Sequence, residues 1–130
     1  MTRRTLVVLV TVVGLAGASA LAVAGVKSYF PAQLNTWGTT VSISGGIGET
    51  RNTPDSVQYI ECGSNSNTGY CLFRDSAGAF HSCSTTDVGL ITVIRSMSGD
   101  GSINFTYDST TNVCTYMLSY ASSRDQPKAP

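Results

Sequence analysis

The sequence predicts an α+β fold: a small antiparallel β-sheet with one short helix packed on it, stapled by two disulfides. Three observations carry this. Ser102-Ile103-Asn104-Phe105-Thr106-Tyr107 alternates polar and apolar residues without a fault, the period of a half-buried strand. Leu90, Val93, Ile94 and Met97 recur at helical spacing, with Thr92, Arg95 and Ser96 on the opposite side. Four cysteines, Cys62, Cys71, Cys83 and Cys114, follow an export-type leader, and small exported domains with modest cores use disulfides to stay folded. An all-β sandwich is the alternative, because the Ile, Val and Thr in the helical window favour strands.

The leader comes first in the chain. Arg3 and Arg4 precede an uncharged stretch from Thr5 to Val26, and Ala22-Val23-Ala24 stands before Gly25. A positive n-region, an apolar h-region and a small-x-small cleavage site make residues 1–24 a signal peptide. The run is also long enough for an uncleaved membrane anchor, which needs roughly 20 apolar residues. Gly14, Gly17 and Ser19 dilute its second half and favour cleavage. The twin arginine loosely fits a Tat-type leader, and no cysteine near the cleavage point supports a lipoprotein anchor. The expected location is therefore secreted, periplasmic or cell-surface, with a membrane contact only through an uncleaved leader.

Residues 25–36 show no period and contain Pro31, and read as a lead-in segment. A single domain follows over 37–121, ending in a flexible tail, 122–130, that is polar and carries Pro127 and Pro130. Thr39, Val41 and Ile43 share one face of the first strand and Thr40, Ser42 and Ser44 the other. Gly45-Gly46-Ile47-Gly48 interrupts it, and Asn52-Thr53-Pro54-Asp55 signals a turn. Val57 to Cys62 forms the next strand, followed by a polar loop from Gly63 to Gly69. Tyr70–Arg74 pairs with Ala79–Cys83 across Asp75-Ser76-Ala77-Gly78, a connection whose glycine supplies a positive φ. Thr86 or Asp87 caps the helix and Ser98-Gly99 ends it. The last strand, Val113 to Tyr120, places Cys114, Tyr116, Leu118 and Tyr120 together on one side.

Composition excludes more than it assigns. Cleavage of the leader leaves six basic and eight acidic side chains, a net charge of −2. The basic residues are scattered, whereas nucleic-acid binders carry a basic stripe, so a nucleic-acid partner is not expected. The cysteines contain no Cys-x-x-Cys, which removes the signature of zinc and thioredoxin-like sites. Their compartment makes them two structural disulfides, with three pairings open. No cofactor is implied.

His81 is the sole histidine, too few for a His-based metal cluster. With Phe80 taken as inward, His81 faces solvent and reads as a surface residue. No Gly-x-Ser-x-Gly elbow supports a serine nucleophile. The acids fall mostly in turns or at the helix start, where Asp accepts backbone hydrogen bonds. Glu61 alternates with Ile60 and Cys62 on an exposed face, and no catalytic carboxylate pair stands out.

The aromatics are the feature that points to binding, since amphipathic rings suit protein and carbohydrate surfaces. Tyr59, Tyr70, Tyr107, Tyr116 and Tyr120 fall in phase with core positions and are expected inside. Tyr29, Phe30 and Trp37 precede or open the first strand, and form a possible interaction element that could dock onto a neighbouring copy. The expected function is an exported non-catalytic binding or assembly domain, with protein or self-association as partner and carbohydrate as a further ligand class. An inhibitor or effector of another secreted protein, using Gly63–Gly69, is the alternative, and a small hydrolase the remaining one.

Residues 57–120 resemble small secreted bacterial proteins of uncharacterised role. The resemblance rests on Cys62, Tyr70-Cys71, the Asp75–Gly78 turn, Ser82-Cys83, the Ser102–Phe105 strand and Cys114. It implies a bacterial export context and no site residues.

Overall fold

The computed structural model describes residues 29–122; the leader, its cleavage point and the chain beyond Ser122 lie outside them. Seven strands and two helices follow in the order β1 (Gln33–Trp37), β2 (Thr40–Gly46), α1 (Ile47–Arg51), β3 (Tyr59–Ser64), β4 (Gly69–Arg74), β5 (Phe80–Thr85), α2 (Val88–Ser96), β6 (Ser102–Asp108) and β7 (Val113–Tyr120). The strands form one sheet, ordered β1-β2-β6-β7-β5-β4-β3. Two antiparallel blocks, β1-β2-β6-β7 and β5-β4-β3, meet at a single parallel bridge between Ser84 and Val113. The sheet is therefore mixed, not purely antiparallel. The fold is the small α+β domain the sequence predicts, and α2 occupies the window that the sandwich alternative needed as a strand.

The core lies on one face of the sheet. Val41 and Ile43 of β2, Ile103, Phe105 and Tyr107 of β6, and Phe73 of β4 are all buried there. Helix α1 touches β2 and also β3, strands five places apart in the sheet order, so the sheet curves around the core. The Asp87 carboxylate caps α2 by accepting from the Leu90 N–H at 2.9 Å, satisfying a donor that the helix leaves open. Ile91 and Ile94 of α2 are buried. Ile94 reaches the sheet because Gly69 has no side chain: a Cβ there would stand 2.6 Å from Ile94 Cδ1.

The four cysteines form a row. Cys62 lies opposite Cys71, and Cys71 opposite Cys83, across β3, β4 and β5, with Cys114 on β7 beyond. The bridges are Cys62–Cys71 and Cys83–Cys114. The first staples two neighbouring strands. The second joins the two blocks where backbone pairing is thinnest.

Four local readings change. The segment before Trp37 contains a strand, since β1 pairs with β2 from Gln33 onward; five uncharged residues with little apolar alternation hid it. The glycine-rich break after β2 contains a one-and-a-half-turn helix, α1. It is held by Thr50, whose hydroxyl donates to the Gly46 carbonyl at 2.6 Å and accepts from the Ala32 N–H at 2.8 Å. The other two changes concern which side of the sheet residues face. In β7 the pairing runs Thr106 to Tyr116 but Tyr107 to Cys114, so Thr115 is an extra residue in a β-bulge. Cys114 and Met117 then both point inward, while Tyr116, Leu118 and Tyr120 turn outward. In β5, Cys83 faces the core. Parity therefore puts His81 inward with it and Phe80 outward, the reverse of the expected assignment.

Candidate interaction face

The outer face of the sheet is built by the residues that alternate with the core. Register places Trp37, Asn35 and Gln33 of β1 beside Thr40, Ser42 and Ser44 of β2. These lie beside Asp108, Thr106 and Asn104 of β6, which in turn face Val113, Tyr116 and Leu118 of β7. Beyond β7, Ser84 of β5 lies beside Val113, and Ser82 and Phe80 continue past the start of β7; Tyr70, Leu72 and Arg74 of β4 lie beside these three. Both helices pack on the other side with the core, and among the described residues no element covers this face.

Its apolar content is high. Trp37 is 63% exposed, Phe80 59%, Tyr116 48% and Leu118 46%, with Val113, Tyr70 and Tyr120 also exposed. Single exposed apolar residues need no explanation, but several on one side of a small domain, with Val113, Tyr116 and Leu118 running together along β7, mark an interaction surface. Charge is sparse and occupied. The Arg74 guanidinium lies 5.4 Å from the centre of the Phe80 ring, a cation–π contact. Tyr70 donates its hydroxyl to Glu61 at 2.5 Å, and that bond to a carboxylate raises the phenol above its ordinary pKa.

The sequence-predicted interaction residues are not brought together. Trp37 stands at the hairpin end of β1, on the outer face opposite Thr40. Tyr29 is exposed and Phe30 half-buried at the other end of the strand, where the Phe30 carbonyl accepts from the Gly46 N–H at 2.8 Å. Trp37 thus joins the sheet face, while Tyr29 and Phe30 lie at the α1 corner. The remaining members of the face, above all Tyr116, Leu118, Tyr120, Tyr70 and Phe80, were expected inside or left unassigned. One signal could have found them. Cys114 and Met117, both apolar and three residues apart, cannot share a face in a regular strand, which points to a bulge between them.

The titratable groups have structural work. Asp75 accepts from the Ala77 and Ala79 N–H groups and pairs through its other oxygen with His81 Nε2 at 2.9 Å. The His81 hydrogen bond, then the Ala79 N–H, hold the Asp75 carboxyl below its usual pKa. His81 itself is half-buried and stacks on Phe73 at 6.0 Å between ring centres; it locks the β4–β5 turn. Asp55 accepts from the Gln58 side chain and from the Val57 and Gln58 N–H groups. These bonds, the Gln58 side chain foremost, bring its pKa down to about 2, so it stays ionised well into acid. Asp108 anchors the β6–β7 turn through Thr110 in the same way. Glu61 is exposed, as its alternation indicates.

Glu49 is the acid that the sequence did not single out. It is fully buried beneath Gly46, where a Cβ would sit 1.8 Å from its Oε2. A carboxylate with no solvent exposure cannot meet a substrate without the fold opening. Among the described residues, no group of three or more His, Cys, Asp or Glu side chains could hold a metal ion. Two open clefts flank Met97 and Ser98 at the end of α2, with volumes of about 180 and 250 Å³. Their linings are mainly Ile, Met, Ser and Gly, with Glu61 at one rim, and neither includes His81.

The Gly63–Gly69 loop is shorter than the sequence implied, because β3 runs to Ser64 and β4 starts at Gly69. Asn65 closes it by accepting from the Asn67 and Thr68 N–H groups. Arg95 of α2 donates to the Asn65 carbonyl at 2.6 Å. No helix among the described residues is long and apolar enough to cross a membrane. The disulfides accord with folding in an oxidising setting, extracellular or periplasmic. Comparison of the chain with family models, with curated proteins and with solved structures finds no match.

Proposed function

We propose that the protein is an exported, non-catalytic binding domain that works through the outer face of its sheet. The signal-peptide pattern of residues 1–24 supports export, and two disulfides fit the compartment it leads to. The observation that carries the reading is the uncovered face itself. A domain this small would gain stability by burying Tyr116, Leu118, Trp37 and Phe80, yet all are exposed. Asp55, Asp75 and Asp108 hold turns, His81 is paired with Asp75, and Glu49 is buried, which weighs against the small-hydrolase alternative. The inhibitor alternative loses its long loop, since only residues 65–68 link β3 and β4.

The double variant Tyr116→Ser/Leu118→Ser tests this reading. Both side chains point to solvent, where substitutions usually change stability by no more than about 0.5 kcal/mol each, so the melting temperature should stay close to wild type. Every association of the wild-type protein seen in sedimentation, with itself or with an added polymer, should weaken. A variant that unfolds at much lower temperature would show that the face is packed, and would refute the reading. So would hydrolysis of chromogenic esters or glycosides by the wild type that His81→Ala abolishes in a folded protein.

A further inference from the structure

Resting on the proposed binding role, we infer that the β1-β2-β6-β7 half of the outer face is a site for a neutral glycan chain. Its layout inverts that of a protein interface. Protein interfaces place aromatic anchors at the centre and polar groups at the rim. Here the centre is polar. Ser42 and Ser44 of β2 and Asn104 and Thr106 of β6 form a floor of short hydroxyl and amide side chains. Tyr116 and Leu118 on β7 flank this floor on one side, and Trp37 on β1 stands at one end of the other side, in the row of Thr40 and Asp108.

Strand geometry gives the dimensions. Neighbouring strands are about 4.8 Å apart and alternate residues about 6.8 Å apart. Strands β1 and β7 are therefore separated by about 14 Å, with a floor two residue pairs long between them. That is room for a short run of sugar rings. Pyranose rings present apolar C–H faces, which stack on aromatic rings, and hydroxyls that both donate and accept. The floor offers matching groups, since Ser, Thr and Asn also donate and accept. Its present bonds are long, Thr106 Oγ1 to Ser42 Oγ and Ser42 Oγ to Asn104 Oδ1 both at 3.3 Å, against a usual O–H···O length of about 2.7–2.8 Å. A ligand hydroxyl could exchange for either at little cost.

Charge selects the glycan class. Between β1 and β7 the one ionisable side chain among the described residues is Asp108, at one end, already held by Thr110. Among the described residues no lysine or arginine lies on this half of the face to attract a uronate or sulfate. An uncharged floor matches an uncharged chain.

Trp37 is the sole tryptophan of the protein, so its emission reports on the site directly. The intact oxidised protein is titrated with soluble neutral glycans (galactomannan, laminarin, glycogen) and with anionic alginate, following Trp37 fluorescence and mobility in glycan-loaded native gels. At least one neutral glycan should shift the emission and retard the protein, and alginate should do neither. Asn104→Ala and Tyr116→Ala, melting as wild type, should each weaken binding about tenfold, the scale of one lost ring contact or hydrogen bond. Absence of any response to the neutral glycans, or binding indifferent to Asn104→Ala, overturns the inference. If the wild type instead self-associates and Tyr116→Ser/Leu118→Ser makes it monomeric, the glycan inference falls while the binding-face reading stands. If that variant changes no association of any kind, both fall.

Discussion

Phe105→Ala should lower stability by about 3–5 kcal/mol, the usual cost of emptying a buried phenylalanine site. Phe105 has no solvent exposure and sits in the middle of β6, between Ile43 on β2 and Met117 on β7. It is thus a central residue of an interior strand in the larger block. Neither neighbour can close the gap easily, because each is held by its own ladder. For a domain of about 100 residues this corresponds to a fall in melting temperature of about 15–30 °C. Total stabilities of small domains are about 5–15 kcal/mol, so the variant should unfold readily at moderate temperature. Thermal melts followed by circular dichroism check this. A Phe105→Ala protein that melts as the wild type would remove β6 from the core and with it the division of the sheet into inner and outer faces.

Loss of the Cys83–Cys114 bridge should cost more than loss of Cys62–Cys71. The two bridges close loops of different length, with sequence separations of 31 and 9. Chain entropy alone assigns about 3.7 kcal/mol to the longer and about 2.6 kcal/mol to the shorter. Position widens the difference. Cys62 and Cys71 lie on strands already paired over six residue pairs, whereas β5 and β7 share one bridge, Ser84 with Val113. Without Cys83–Cys114 the β3-β4-β5 block is tied to the rest through that single bridge and through the packing of α1 and α2. Cys83→Ala/Cys114→Ala and Cys62→Ala/Cys71→Ala should be compared by urea unfolding under oxidising conditions. The first should have the lower midpoint, and its amide exchange should accelerate most in β3, β4 and β5. The reverse order of midpoints would contradict the two-block description of the sheet.

Elements with strong period were legible from sequence. Ile103, Phe105 and Tyr107 gave β6 its inward face, and Leu90, Ile94 and Asp87 gave α2 its packed side and its cap. Two elements were hidden by weak local signals. β1 has almost no apolar pattern, because neither of its faces is buried. α1 is too short for a period to register, and its glycines read as a break; the Thr50 hydroxyl, bonded to Gly46 and to Ala32, and the burial of Ile47 in the core hold it in helical form. The face assignments failed for a different reason. Alternation predicts sides only while the register is unbroken, and the Thr115 bulge reverses the phase within β7. β5 was misjudged by starting from Phe80 instead of Cys83, which is the side chain the core buries. Since most of the large exposed apolar side chains of the face belong to β7 and β5, the same two errors concealed them. Only Trp37 was marked in advance.

Hydroxyl-radical footprinting of the oxidised monomer, read by mass spectrometry, tests most directly whether the outer face is open. Trp37, Phe80, Tyr116 and Leu118 should be oxidised at rates close to those in the unfolded chain. Phe73, Phe105, Tyr107 and Met117 should be strongly protected, Met117 despite the high intrinsic reactivity of its sulfur. Protection of Tyr116 and Leu118 to the level of Tyr107, or rapid oxidation of Met117, would place β7 in the opposite phase and contradict the account.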